Sequence, residues 1–251
     1  MRAVAALLLL FLLPVAAHAG ERPAFILIHG AWGSGQGWWQ VRPLLEKAGY
    51  RVFAPSLTGQ GERAREGGPA VNLATHIDDI VRLIETRRLH RVILVGHSYG
   101  GMVVSGVAER VPERIARVIY VDAFLPKDGE SAFSQMVPSF VASLRKRALE
   151  QGDGWAIPSG SGKGPPQPIG TLEQALTINN PRAAAIPGTY ILTMDPGAAM
   201  DAFSFAAHRA QLKTWPVYVL RTGHLPQVTM PGPLAQLLID AALITPAITG
   251  P

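Results

Sequence analysis

The sequence predicts an α/β protein, a doubly wound and mostly parallel six-stranded sheet with helices on both faces. Three observations predict it. Six short runs rich in β-branched and aromatic residues recur along the chain, each leading into turn or loop residues. Helical patterns lie between them. The strand runs are also apolar throughout instead of alternating, as strands are when helices cover both faces of a sheet.

Strands are expected at Ala24 to His29, Arg51 to Ala54, Val92 to Val95, Val118 to Val121, Tyr190 to Leu192 and Val217 to Leu220. Helices are expected over Trp38 to Ala48, Leu73 to Arg88, Tyr99 to Arg110 and Pro233 to Leu243, with Gly49 and Pro112 as stops. Right-handed crossovers then place the helices on alternate faces. One interval, from Asp122 to Thr189, breaks the alternation. It holds the helical-looking Ser143 to Gln151 and a Gly-, Ser- and Pro-rich tract from Gly152 to Gly170. A structureless loop of that length is foreign to a compact domain, so residues 124–188 are expected to form a cap or lid inserted before the penultimate strand.

The chain has 251 residues, 48% of them hydrophobic and 16% charged, a composition that excludes disorder. Its net charge of +5 is scattered, and the densest basic clusters are Arg145-Lys146-Arg147 and Arg87-Arg88, so nucleic-acid binding is not indicated. With no cysteine there is no disulfide, thiolate metal site or thiol nucleophile. No metal-ligand pattern and no cofactor motif appears; His76-Ile77-Asp78-Asp79 reads as a solvated helix face. At the amino end, Met1-Arg2, an apolar run from Ala3 to Ala17 and the small-x-small string Ala17-His18-Ala19 read as a signal peptide over residues 1–19. The run is shorter than the about 20 residues that span a bilayer. The expected product is a periplasmic or secreted domain over 20–251 without stable membrane insertion; its oligomeric state is left open.

Gly96-His97-Ser98-Tyr99-Gly100 follows an expected strand and opens an expected helix, the context in which a G-x-S-x-G string lifts a serine out at the carboxyl edge of a sheet. Ser98 is therefore the candidate nucleophile. A serine hydroxyl needs a base to take its proton. Of seven histidines, His224 stands directly after the last strand and before the final helix, which makes it the candidate. His97 occupies the variable position of the turn and is expected to point elsewhere; His29 is expected to fix its loop by hydrogen bonding. The acid that orients the imidazole should also close a strand. Asp195 is preferred, with Asp122 as the alternative. Backbone N–H groups of Tyr99, after the nucleophile, and Ala31, after the first strand, are the candidate oxyanion donors. Trp32 and Phe124 are the candidate pocket aromatics.

These residues resemble the α/β-hydrolase superfamily over essentially the whole mature chain. Phe25-Ile26-Leu27-Ile28-His29-Gly30-Ala31-Trp32, Leu57-Thr58-Gly59, Gly96-His97-Ser98-Tyr99-Gly100-Gly101 and His224 are similar to its compact branch, which contains plant methyl-ester esterases, hydroxynitrile lyases and bacterial esterases. The resemblance implies a serine hydrolase that cleaves a small or medium carboxylic ester through an acyl-enzyme. It also implies an acid after the penultimate strand, at Pro196, one residue beyond Asp195. Lyases of the branch carry Lys after the catalytic His and Thr in the first His-Gly loop, where this chain has Leu225 and Gly30. A C–C or C–N lyase and a non-catalytic ligand-binding member are the competing expectations.

Overall fold

The computed structural model describes residues 22–160, 162, 164–197 and 202–244. The expected signal peptide lies outside the described residues. In chain order the elements are β1 (Ala24–Ile28), α1 (Val41–Lys47), β2 (Arg51–Phe53), α2 (Leu73–Thr86), β3 (Val92–His97), α3 (Gly100–Arg110), β4 (Ile115–Val121), α4 (Pro138–Gln151), β5 (Ala156–Ile157), β6 (Gln167–Pro168), α5 (Gly170–Glu173), α6 (Pro181–Ala184), β7 (Gly188–Thr193), α7 (Ser204–Leu212), β8 (Val217–Leu220), α8 (Pro226–Thr229) and α9 (Pro231–Leu243).

Six strands form one parallel sheet in the order β2-β1-β3-β4-β7-β8. After β2 the chain crosses back over β1 to place β3 on its other side. The winding direction reverses between β1 and β3, and the crevice at the carboxyl ends of such a pair is where ligands enter open α/β sheets. Alternate residues explain why the strands read as apolar on both faces. Ile26, Ile28, Leu94 and Tyr190 pack with α2, α3 and α7, while Phe25, Leu27, Ile93, Val95 and Ile191 pack with α1 and α9. Fully burying each such side chain is worth about 1.5–3 kcal/mol, so neither face can be left open.

Helix α2 shows how locally the pattern is specified. Its buried residues Leu73, Ile77, Ile80, Val81 and Ile84 recur at helical spacing. Asn72 caps it by accepting the Thr75 N–H at 3.1 Å, and Thr75 Oγ1 accepts the Asn72 N–H in return. Strand β4 begins three residues earlier than its apolar run suggests, because Arg117 is admitted to the interior by donating to the Ile244 carbonyl at 2.6 Å.

Between β4 and β7 the chain carries a short helical turn at Phe133–Gln135, helices α4, α5 and α6 and the antiparallel pair β5-β6. The Gly- and Pro-rich tract is thus a hairpin. It is tied to the loop after β1 through Trp32, whose backbone N–H donates to Gln167 Oε1 at 3.0 Å and whose indole N–H donates to the Ile157 carbonyl at 2.8 Å. Gln167 is held in turn by Thr171.

Candidate active site

Ser98 stands between β3 and α3 with φ +54°, a left-handed conformation that presents its side chain at the sheet edge. The turn is tight. A Cβ on Gly96 would meet the Gly100 carbonyl oxygen at 2.6 Å, and one on Gly100 would meet the Ile28 carbonyl oxygen at 2.7 Å. The Ser98 carbonyl accepts from Gly101 at 3.1 Å and Phe124 at 3.2 Å, fixing the bend from both sides.

Ser98 Oγ lies 3.0 Å from His224 Nε2, and His224 Nδ1 lies 2.6 Å from Asp122 Oδ2. A carboxylate only accepts, so Nδ1 carries the proton and Nε2 is left to accept from the serine. Asp122 is 2% exposed, and its second oxygen accepts the Thr193 N–H at 3.1 Å. Its own N–H donates to the Ile191 carbonyl at 2.7 Å. The carboxylate is therefore held by the end of β7 on one oxygen and by the His224 loop on the other.

The preference for Asp195 is corrected by this geometry. The Met194 N–H still pairs with the Leu220 carbonyl of β8, so Asp195 emerges past the strand end at an exposed rim. There Oδ1 accepts the Gly197 N–H at 3.1 Å, an Asx turn on its own backbone. Asp122, directly after β4, the strand adjacent to β3, takes φ +44° and reaches the imidazole. A signal was present in both places. Asp195-Pro196-Gly197 is turn chemistry, whereas Asp122 sits between the apolar Val121 and Ala123, where a charge requires a partner.

Ala31 and Tyr99 line the cavity beside Ser98, and among the described residues no protein acceptor takes either backbone N–H. The Tyr99 N–H also stands at the amino end of α3, where the helix dipole favours negative charge. The neighbouring Trp32 N–H is already given to Gln167.

Three other histidines, His29, His76 and His97, are buried and hydrogen-bonded. Buried His29 accepts the Leu57 N–H at Nε2 and donates from Nδ1 to the Gly30 carbonyl, and burial pushes its pKa down to about 4. His76 is also buried, so the solvated-face reading of that segment is wrong: its Nε2 donates to the Thr58 carbonyl, Nδ1 accepts from the Tyr99 hydroxyl, and its pKa falls to about 4. Asp79 takes the Thr58 N–H and hydroxyl and pairs with Arg63. His208 is exposed on α7. His97 does not point away from the site; its Nε2 meets the His224 carbonyl at 2.7 Å.

A cavity of about 840 Å³ opens over Ser98, Asp122 and His224. Its walls include Trp32, Phe124, Met136, Phe140, Leu172 and Phe203, and among the described residues no Lys or Arg lines it. Met136, Phe140 and Leu172 come from the segment between β4 and β7. Phe203 stacks on the His224 ring at 5.3 Å and 6°, and Phe124 meets Phe203 edge-on at 5.0 Å.

Residues 25–237 match the model of the alpha/beta hydrolase family. The chain belongs to that family. It is 34% identical to a carbendazim hydrolyzing esterase of Nocardioides sp. (strain SG-4G) over 237 residues, covering 85% of this chain and 97% of that protein. A pyrethroid hydrolase of Sphingobium wenxiniae is 30% identical, with 86% of each chain covered. Among solved structures, an extracellular alpha/beta-hydrolase from a Paenibacillus species superposes with a TM-score of 0.74 at 25% identity, covering 87% of this chain and 98% of that one. That hydrolase is described as sharing structural and functional homology with tobacco salicylic acid binding protein 2. With such relatives along nearly its whole described length, this α/β-hydrolase is an esterase-type hydrolase.

Proposed function

We propose that this α/β-hydrolase is an exported serine carboxylesterase that cleaves a neutral carboxylic ester of small or medium size through an acyl-enzyme. The observation that carries the reading is the continuous chain from Ser98 Oγ through His224 to the buried Asp122, 3.0 and 2.6 Å long, opening into a largely apolar cavity. Ser98 Oγ attacks the ester carbonyl carbon as its proton passes to His224 Nε2, and Asp122 stabilises the imidazolium. The oxyanion is received by the Ala31 and Tyr99 N–H groups. Collapse breaks the C–O bond to the alcohol, which leaves with the proton from Nε2. Water then attacks the acyl carbon as it gives a proton to His224 Nε2; collapse breaks the bond to Ser98 Oγ, which takes that proton back as the acid is released. Among the described residues, Asp122 and Asp195 are the carboxylates on the wall and no Lys or Arg joins them, an arrangement that favours neutral over anionic esters.

Leu225, with an exposed side chain, follows His224, so no ammonium stands there to hold a cyanide leaving group and hydrolysis is favoured over lysis. Export rests on the basic, apolar and small-residue pattern of residues 1–19. Mass spectrometry of the exported protein should find a chain beginning at Gly20.

The decisive experiment follows hydrolysis of p-nitrophenyl acetate and butyrate, with carbendazim, a pyrethroid and a cyanohydrin in the same series. Wild type should cleave the nitrophenyl esters, and Ser98→Ala should lower kcat by roughly 10⁶-fold while remaining folded. Retained activity in Ser98→Ala, or cleavage of the cyanohydrin alone, overturns the assignment.

A further inference from the structure

The base and the nucleophile sit on strands that do not touch. Between β3 and β8 lie β4 and β7, three strand spacings or roughly 14 Å. The loop carrying His224 must bridge that distance and stop with the imidazole in hydrogen-bond reach of Ser98. Asp122 and Phe203 grip the ring, but the ring is still 45% exposed. Neither of them fixes the loop backbone.

We propose that His97 is a positioning residue that ties the base loop to the nucleophile elbow. The inference rests on the triad reading. His97 is 3% exposed at the last position of β3, and a carbonyl can only accept, so its Nε2 carries the hydrogen donated to His224 O at 2.7 Å. The two imidazoles lie 4.7 Å apart at 40°, and Trp38 packs edge-on to His97 at 6.5 Å. On the other side, a Cβ at Gly30 would come within 3.1 Å of His97 Nδ1. One buried ring thus touches the oxyanion loop, adjoins the nucleophile and holds the base loop.

The position also demands neutrality. During acylation His224 becomes an imidazolium beside this ring, and a second positive charge there would oppose that step. Burial, with the His224 ring adding to it, pushes the His97 pKa down to about 3, so the ring stays uncharged.

The test compares His97→Leu, His97→Asn and His97→Gln with Ser98→Ala on p-nitrophenyl butyrate, alongside thermal melting. Gln can place an amide N–H where imidazole Nε2 lies; Asn is too short and Leu has no donor. A loop displaced by an ångström should cost roughly 10- to 100-fold in kcat. The expected result is that Leu and Asn show that loss with KM within about twofold, whereas Gln stays within a few-fold of wild type. If Leu prevents folding, the Gln and Asn pair decides alone. Equal kcat in all three variants, with Ser98→Ala inactive, overturns the role of His97. An equal loss in Gln and Asn that tracks melting temperature overturns it too, because simple packing would suffice. Activity retained by Ser98→Ala would remove the triad reading itself, and this inference with it.

Discussion

Asp122 and Asp195 close two neighbouring strands of one sheet and line one cavity, yet they live under opposite conditions. Asp122 is buried, and both of its oxygens are taken, by His224 and by the Thr193 N–H. Asp195 is exposed and satisfied by the Gly197 N–H two residues on. A carboxylate in water loses little by standing without a charged partner, whereas one removed from water must be met by donors. The same division runs through the histidines. His29, His76 and His97 are buried and committed to backbone or hydroxyl partners, while the half-exposed His224 keeps Nε2 turned toward Ser98 and the cavity.

Among changes to the two aspartates and the buried histidines, the largest effect should come from neutralising the buried carboxylate. Asp122→Asn should lower kcat on p-nitrophenyl butyrate by roughly 10⁴-fold, the scale of losing a triad acid, because an amide that donates to Nδ1 stabilises the wrong tautomer. Steady-state kinetics on the folded variant checks this, and loss of less than about tenfold would end the contrast.

Acidification sharpens the histidine half of the comparison. His29, His76 and His97 have folded pKa values lowered by burial from 6.5 to about 4, about 4 and about 3. Between those values and pH 6.5 the unfolded chain binds protons that the folded protein refuses. Stability is therefore fully present above pH 6.5 and declines below it, by at most about 1.4 kcal/mol per pH unit for each ring. Denaturant titrations from pH 8 to pH 5 should record this slope. Replacing His76 with Gln should flatten it, whatever it does to absolute stability.

A smaller effect tests the link between the loop after β1 and the hairpin. Trp32→Phe removes the indole donor to the Ile157 carbonyl and should cost about 1 kcal/mol of stability, read by denaturant midpoint. The smallest should be Asp195→Asn, with kcat on the neutral ester within about threefold of wild type, since mutation of an exposed charge perturbs its surroundings weakly. A larger fall would mean that Asp195 reaches the imidazole during turnover.

Much of the site was legible in advance because its signals are local. Gly96, Ser98 and Gly100 announce a strand-to-helix bend whose steric requirements are met within five residues, and His224 directly follows a recognisable strand. The acid was not legible in the same way. Choosing between two strand-end aspartates required knowing that β4 lies beside β3 and that β7 stays paired with β8 through Met194. His97 was hidden for a related reason: its partner is a backbone carbonyl 127 positions away, which no side-chain pattern encodes.

The amino-acid order by itself determined the layered α/β architecture, the bend that exposes Ser98 and the candidate base, since hydrophobic periodicity, glycine spacing and turn chemistry act over a few residues. The tertiary structure alone decided which carboxylate meets His224, which histidines are withdrawn from water and what encloses the cavity. Those choices depend on strand adjacency and burial, and both exist only after distant segments have packed together.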